Sequence, residues 1–389
     1  MQKLIRFSIY LIVLCFPLYI IRFLVLGISI NLIELMVCLC FVFWILYIVF
    51  SSKIKNIDLL QKEKWLQYSI FLIFAGLTIS TIFSENLRIS AGIWKGWFII
   101  PLMLLILIIN TIKSEKYIKN IIIYLTISGI AVSLIALYYF LSRNLTYDGR
   151  LKAFYLSPNY LAMYLSPIFV LSLYLYSGFK KNIFKIILFI SQFLLLFIIY
   201  LTQSYGALLG LCGALIFYIF LKNRIFKTML AIILIMLIFC VLLSPSQKIS
   251  SFKSRLVIWQ SALEIIKNNP VVGIGPGMFQ KYYLDYQFKF PHYMEWAVPQ
   301  PHNIFLAFWL QTGIIGLIGF FLLLIVFFSS VIPAKLRIQH MQIILTVTMF
   351  YVLIHGLVDT TYWKNDLSMI FWIIIALNYT ANHLFYLQK

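Results

Sequence analysis

Arg255 and His302 stand out in an otherwise apolar chain, because together they suit a reaction that holds an anion and removes a proton. Arg255 lies in Ser254-Arg255-Leu256-Val257-Ile258-Trp259-Gln260-Ser261-Ala262-Leu263-Glu264-Ile265-Ile266, where Leu256, Trp259, Leu263 and Ile266 recur at the spacing of one helical face. Ser254 is the expected cap and Asn269-Pro270 the stop, which puts Arg255 in the first turn, where the helix field disfavours a cation. Something anionic should compensate it: a carboxylate such as Glu264 or Asp285, or a phosphate, whose oxygens a guanidinium fork grips well. His302 follows Pro299-Gln300-Pro301 and precedes Asn303, a good N-cap residue. The positive end of the helix that Asn303 starts favours the neutral imidazole, the form a general base needs. Between the two, Gly273-Ile274-Gly275-Pro276-Gly277 fits no phosphate-cradling pattern, and Pro276 removes a donor, so a tight turn is expected. His355, Asp359, Lys364, Asn365 and Asp366 form a second polar cluster, with His355 and Asp359 spaced to pair across one helical turn.

The elements that position these residues are membrane helices. A chain of 389 residues with 63% hydrophobic and 11% charged residues and a mean hydropathy of +0.99 is no water-soluble globule. A span takes roughly 20 apolar residues. The apolar runs are Leu4 to Leu26, Leu32 to Phe50, Trp65 to Phe83, Ile89 to Ile109, Ile121 to Leu141, Tyr160 to Tyr176, Ile183 to Leu201, Ala207 to Leu221, Phe226 to Leu243, Asn303 to Phe328, Ile343 to Leu357 and Leu367 to Phe385. The expected fold is therefore all-α, a single polytopic membrane domain over 1–389 with about 12 transmembrane helices and one large loop, 244–302, containing short helices. The first run reads as a span, without a cleavage site of the signal-peptide kind. Every second run is followed by a basic connection: Lys53, Lys55, Lys62 and Lys64; Lys113, Lys116 and Lys119; Lys180, Lys181 and Lys185; Lys222, Arg224 and Lys227; Lys335 and Arg337. By the positive-inside bias these loops and both termini are cytoplasmic, with Lys389 closing the pattern.

Cations on the other side then call for an explanation. Arg150 and Lys152 lie in one outer segment, and Lys248, Lys253, Arg255, Lys267, Lys281 and Lys289 in the large loop. They meet either an anionic substrate or lipid headgroups. The net charge of +20, read this way, belongs to a membrane protein and not to a nucleic-acid binder. Gly313, Gly316 and Gly319 in the tenth run suggest close helix packing. Glu34 and Lys95 are the charges inside spans, Lys95 facing a substrate or snorkelling to the interface. The five cysteines sit in apolar runs and read as small hydrophobes, so neither disulfides nor a metal cluster is expected. No Asp-x-Asp metal motif and no G-x-S-x-G elbow occurs. A transporter remains the rival to an enzyme, although transporters gather binding charges near the midplane and this chain gathers them in outer loops.

Arg255 with Trp259, Pro270 to Gly275, Pro301-His302-Asn303 with Leu306, Gly313, Gly316 and Phe320, Pro158-Asn159, and His355-Gly356-Leu357-Val358-Asp359 together resemble the O-antigen ligase and O-antigen polymerase superfamily, from about Arg150 to Trp372. The resemblance implies a glycosyltransferase of the bacterial cytoplasmic membrane that moves a glycan from undecaprenyl diphosphate to a lipid or glycan acceptor on the outer face. It implies no metal, no cofactor and no nucleotide sugar. The histidine matched by His302 would deprotonate the acceptor hydroxyl, and the arginine matched by Arg255 would hold the diphosphate. Around this catalytic pair, Arg150, Lys152, Asn159, Tyr205, Asn303, Asp359 and Lys95 are expected to bind substrate. In one place the chain departs from the family pattern: Thr202-Gln203-Ser204-Tyr205 has tyrosine where the family usually has an arginine. Arg150 or Lys152 is the candidate replacement. A single displacement with a base and no enzyme nucleophile would invert the anomeric carbon. Ligation to an acceptor and polymerisation of repeat units share this machinery and are not separated by the residues.

Overall fold

The protein is described here by a computed structural model covering residues 1–25, 28–51, 57–58, 60, 63–179, 181–222, 245–290, 296–329 and 340–387. In chain order its elements are α1 (Gln2–Leu14), a 3-10 turn (Phe16–Ile20), a hairpin of β1 (Arg22–Val25) and β2 (Ile28–Asn31), α2 (Leu32–Phe50), α3 (Lys64–Ile82), α4 (Leu87–Ile93), a π turn (Trp94–Ile99), α5 (Ile100–Thr111) and α6 (Glu115–Leu141). There follow α7 (Pro158–Ser172), α8 (Leu175–Gly178), α9 (Asn182–Leu201), α10 (Tyr205–Leu221), α11 (Pro245–Asn268), α12 (Phe279–Tyr286), a 3-10 turn (Gln287–Lys289), α13 (Ile304–Ser329), α14 (His340–Gly356) and α15 (Asn365–Leu387).

The chain is an all-α integral membrane protein. Among the described residues, eight helical stretches are long and apolar enough to cross a bilayer: 32–50, 64–82, 87–111, 115–141, 158–178, 182–201, 304–329 and 365–384. α10 and α14 are shorter apolar helices. The expected ninth span, Phe226 to Leu243, lies outside the described residues. The first does not run from Leu4 to Leu26: Pro17 opens a 3-10 turn, and the chain then turns back as a hairpin with Arg22 opposite Asn31 and Val25 opposite Ile28. A proline disfavours helix at the residue before it, which stops α1 after 13 residues.

Glycine shapes the bundle where the helices press closest. A Cβ on Gly76 of α3 would collide with the Gly316 backbone of α13, and one on Gly319 with Ile73, so α3 and α13 lie backbone against backbone. Gly313 does something different. With φ 66° and ψ −175° it interrupts α13, in a conformation essentially reserved for glycine. The broken helical bond would have joined Ile314 N–H to the Leu310 carbonyl. Both groups are instead taken by the loop after α11: Ile314 donates to the Val271 carbonyl (3.0 Å) and Ile274 donates to the Leu310 carbonyl (2.7 Å). Trp309 Nε1 adds a bond to the Pro270 carbonyl (2.8 Å), and Gly277 N–H donates to Gln311 Oε1 (2.9 Å). The glycine-rich turn thus spends its backbone groups on a membrane helix, in agreement with the tight turn expected of it.

The loop has its own small core of Ile258, Ala262, Ile265, Ile266, Ile274, Met278, Phe279, Tyr283 and Val298, joined to the bundle through Leu310. Its long helix starts at Pro245, not at Ser254, so Arg255 is well inside the helix and no end-field penalty applies to it. Of the apolar face read from the sequence, Ile266 alone is fully buried. Ile258, Ala262 and Ile265 face inward, whereas Leu256 and Leu263 are exposed. Asn269-Pro270 ends the helix as expected.

Candidate active site

The N-terminal ends of α7, α10, α13 and α15 and the C-terminal ends of α9 and α14 meet at one end of the bundle, and the candidate residues gather there. Lys64, Lys113, Lys116, Lys119, Lys181, Lys185 and Lys222 mark the opposite end. Asn303 caps α13 as expected: its Oδ1 accepts from Phe305 N–H (2.9 Å) and Leu306 N–H (3.0 Å), and its Nδ2 donates to the Leu357 carbonyl (3.0 Å). This pins the start of α13 to the segment after α14. His302, just before the cap, is in the left-handed region at φ 47°. Trp259 of α11 holds that backbone in place, its Nε1 donating to the His302 carbonyl (3.2 Å).

Asp359 is the hub. It is 2% exposed, and four groups converge on it. His302 Nδ1 lies 3.1 Å from Oδ1, Thr360 N–H donates to Oδ1 (2.9 Å), Asn159 Nδ2 donates to Oδ2 (2.8 Å), and an Arg255 guanidinium nitrogen lies 4.0 Å from Oδ2. Burial alone would disfavour the carboxylate, yet the hydrogen-bonded His302 ring and the Arg255 charge hold its titration well below the usual carboxylate range. An ionised carboxylate only accepts, so Nδ1 of a neutral His302 carries the proton and Nε2 is left with a lone pair. That is the tautomer of a general base oriented by a carboxylate.

Arg150 enters from the segment before α7. Its guanidinium donates to Asn159 Oδ1 (2.7 Å) and to the Thr202 carbonyl (2.9 Å), with Asp148 at 3.9 Å. Burial draws its titration down, Asp148 opposes this, and the charge of Arg255 adds to it. The structure therefore links Arg150, Asn159, Asp359, His302 and Arg255 in one chain of contacts. Tyr205 opens α10 at the turn that Arg150 grips. Lys152, half-buried nearby, joins none of these contacts.

Lys95 lies elsewhere in the hydrogen-bond pattern. On the π turn its Nζ is 2.7 Å from Glu34 Oε2 and donates to the Ser29 carbonyl (2.7 Å), so its charge is already matched by a carboxylate of α2. His355 pairs with Tyr351 Oη (2.7 Å) and not with Asp359, because His302 occupies that carboxylate. Several loop cations are matched too: Lys267 and Lys289 with Glu264 (3.1 and 3.8 Å) and Lys281 with Glu85. The carboxylate that stands by Arg255 is Asp359, at 4.0 Å. The side chain of Lys248, together with His292, Cys240 and Lys389, lies outside what is described.

Two features had no sequence signal. Asp359 and His302 are 57 residues apart, so spacing gave no hint of their pairing. Lys364, 7% exposed, is enclosed by the rings of Tyr19 (5.0 Å), Tyr155 (4.3 Å) and Tyr160 (4.2 Å), residues from two segments far from it in the chain. Its burial, opposed by Asp366, lowers its titration to about 8.

A comparison with curated proteins finds no match. A family model described as O-antigen ligase matches residues 190–321, a stretch that takes in the C-terminal part of α9, Tyr205, Arg255 and His302 and stops short of Asp359. With this match, the stretch whose arginine and histidine are drawn to the Asp359 carboxylate is similar to the O-antigen ligase family.

Proposed function

We propose that the protein transfers a glycan from undecaprenyl diphosphate to an acceptor hydroxyl at the outer face of the bacterial cytoplasmic membrane, with both termini in the cytoplasm. The observation that carries this reading is the Asp359 carboxylate standing between His302 and Arg255, 3.1 Å from one and 4.0 Å from the other. His302 Nε2 takes the proton of the acceptor hydroxyl as that oxygen attacks the anomeric carbon. The bond from that carbon to the diphosphate oxygen breaks, and the electron pair leaves with the lipid diphosphate. Attack from the face opposite the leaving group inverts the centre. Arg255 stabilises the charge that develops on the diphosphate, in the role of a preorganised electrostatic clamp. Arg150, held at the Thr202-Tyr205 turn, supplies the second cation that the usual family arginine would provide. Asn159 and Asp359 position these groups, and neither Lys152 nor Lys95 is needed for the step. Base and clamp are both side chains, so the step as written calls for no metal.

Ligation and repeat-unit polymerisation differ in which hydroxyl enters, and product sizing separates them: a ladder formed without added acceptor marks a polymerase. The polar residues collect at one end of the bundle, which favours transfer over transport. The test is His302→Ala in detergent with undecaprenyl-diphosphate glycan. Transfer should fall by about 10²–10⁴-fold, the range supplied by a positioned base, while donor binding stays near the parent value. Near-normal turnover removes His302 from the role of base.

A further inference from the structure

The helix that carries Arg255 has three faces. At about 100° per residue, Ser254, Ile258, Ser261, Ala262 and Ile265 fall on one side, and all are buried. Lys253, Gln260, Glu264 and Lys267 form a polar side. Between them runs a third stripe, Phe252, Leu256, Trp259 and Leu263, within roughly 60° of arc. It is apolar yet uncovered: Phe252 is 55%, Leu256 41% and Leu263 46% exposed. A helix with one face on protein, one polar face and one open apolar stripe has the form of an interfacial amphipathic helix.

Depth is an independent observation. The loop that ends α11 bonds to Leu310 and Ile314, six and ten residues into α13. At 1.5 Å per residue this is about 9–15 Å below the start of that helix. α13 has 26 residues, about 39 Å of helix against a hydrocarbon core of about 30 Å, so the docking point lies near the upper boundary of the hydrocarbon. Val271, whose carbonyl is bonded into α13, also leaves its side chain 59% exposed at that level.

We infer that α11 lies in the membrane interface with Phe252, Leu256, Trp259 and Leu263 sunk among the acyl chains of the phospholipid leaflet on the site's side. Lys253 and Lys267, on the polar side, then meet the headgroup layer, where anionic lipid attracts them. Arg255 sits at the border of the stripe, and Trp259 on it bonds to His302. The reactive pair therefore lies beside the bilayer, and a lipid-borne substrate approaches it sideways without leaving the membrane.

The experiment needs no transfer activity, so its outcome is separable from that of the proposed reaction. p-Benzoylphenylalanine is placed singly at Leu256, Gln260 and Leu263 of the full chain, and at Phe189 of α9, which is 65% exposed on a spanning helix. Each variant is reconstituted in vesicles of phosphatidylethanolamine and phosphatidylglycerol with tritiated acyl chains and irradiated. Positions 256 and 263 should capture lipid to an extent close to position 189 and exceed position 260 by about tenfold, the lower end of what leucine burial provides. Equal capture at 256, 260 and 263, or none at 256 and 263 while 189 is labelled, overturns the inference. Phe252 supplies a further stripe position where one variant fails to fold.

Discussion

Replacing Asp359 by Asn is the sharpest test of the site, because it keeps the shape and removes only charge and acceptor capacity. In one amide orientation the oxygen still accepts from His302 and Thr360, but the NH2 then faces two donors, Asn159 Nδ2 and Arg255. In the other, the NH2 faces the Thr360 N–H and takes the Nδ1 lone pair of His302, which forces the proton onto Nε2 and abolishes the base. Either way one donor is set against another, at about 1–3 kcal/mol for an unsatisfied buried group. Arg255, 13% exposed, also loses its counter-charge, which for a buried pair brings the total to about 3–5 kcal/mol. In serine proteases the same change beside a catalytic histidine costs about 10⁴-fold in kcat. Transfer from undecaprenyl-diphosphate glycan in detergent should therefore drop by about 10²–10⁴-fold in kcat, with a smaller change in KM. Thermal unfolding of the same preparation should fall in step with the lost stability. A variant that turns over within threefold of the parent, as stable as the parent, would refute the hub assignment.

Arg255→Lys keeps the charge but loses the fork, and kcat/KM for the lipid donor should fall by about 10–100-fold, the worth of one charged hydrogen bond; the same transfer assay with varied donor checks it. Gly313→Ala places a Cβ against the Val271 carbonyl in a glycine-only conformation, so thermal unfolding should show a loss of about 3 kcal/mol or more, whereas Gly92→Ala in α4, with open space around it, should be neutral or stabilising by up to about 1 kcal/mol. Lys364 binds its proton less readily in the folded chain, at about 8 against 10.5, so the unfolded state carries the extra proton and stability should climb as pH rises from 8 towards 10.5. Lys364→Met should remove that slope and stabilise the protein at pH 7 by about 3 kcal/mol, measured as unfolding against pH.

Most of the bundle was legible because hydrocarbon imposes a simple length rule, and α2, α3, α9 and α13 begin and end within a residue or two of their apolar runs. Where local backbone chemistry overrides that rule, composition misleads. Arg22 to Val25 reads as the end of an apolar run but pairs with Ile28 to Asn31 as a hairpin after Pro17. Gly313 has the same spacing as Gly316 and Gly319 yet breaks the helix that the other two pack. Ser254, a good cap in isolation, puts the start of α11 ten residues late, whereas Pro245 suits the first turn equally well. Arg255, His302 and the Asn303 cap were visible from residue type and neighbours. Asp359 was visible as a polar residue, but its partner was not: i, i+4 spacing favours His355, and only tertiary packing brings His302 to it instead.

The interrupted helix also constrains how the protein is made. Val271 and Ile274 emerge from the ribosome before Leu310 and Ile314, so the loop segment that completes α13 is made before the helix it completes. Until the two meet, the Leu310 carbonyl and the Ile314 amide can bond each other if Gly313 is helical, which spares the several kcal/mol that each would cost unpaired in lipid. The break at Gly313 and the docking of the 269–277 turn are therefore one coupled event, in which α13 trades an internal helical bond for two bonds to the loop.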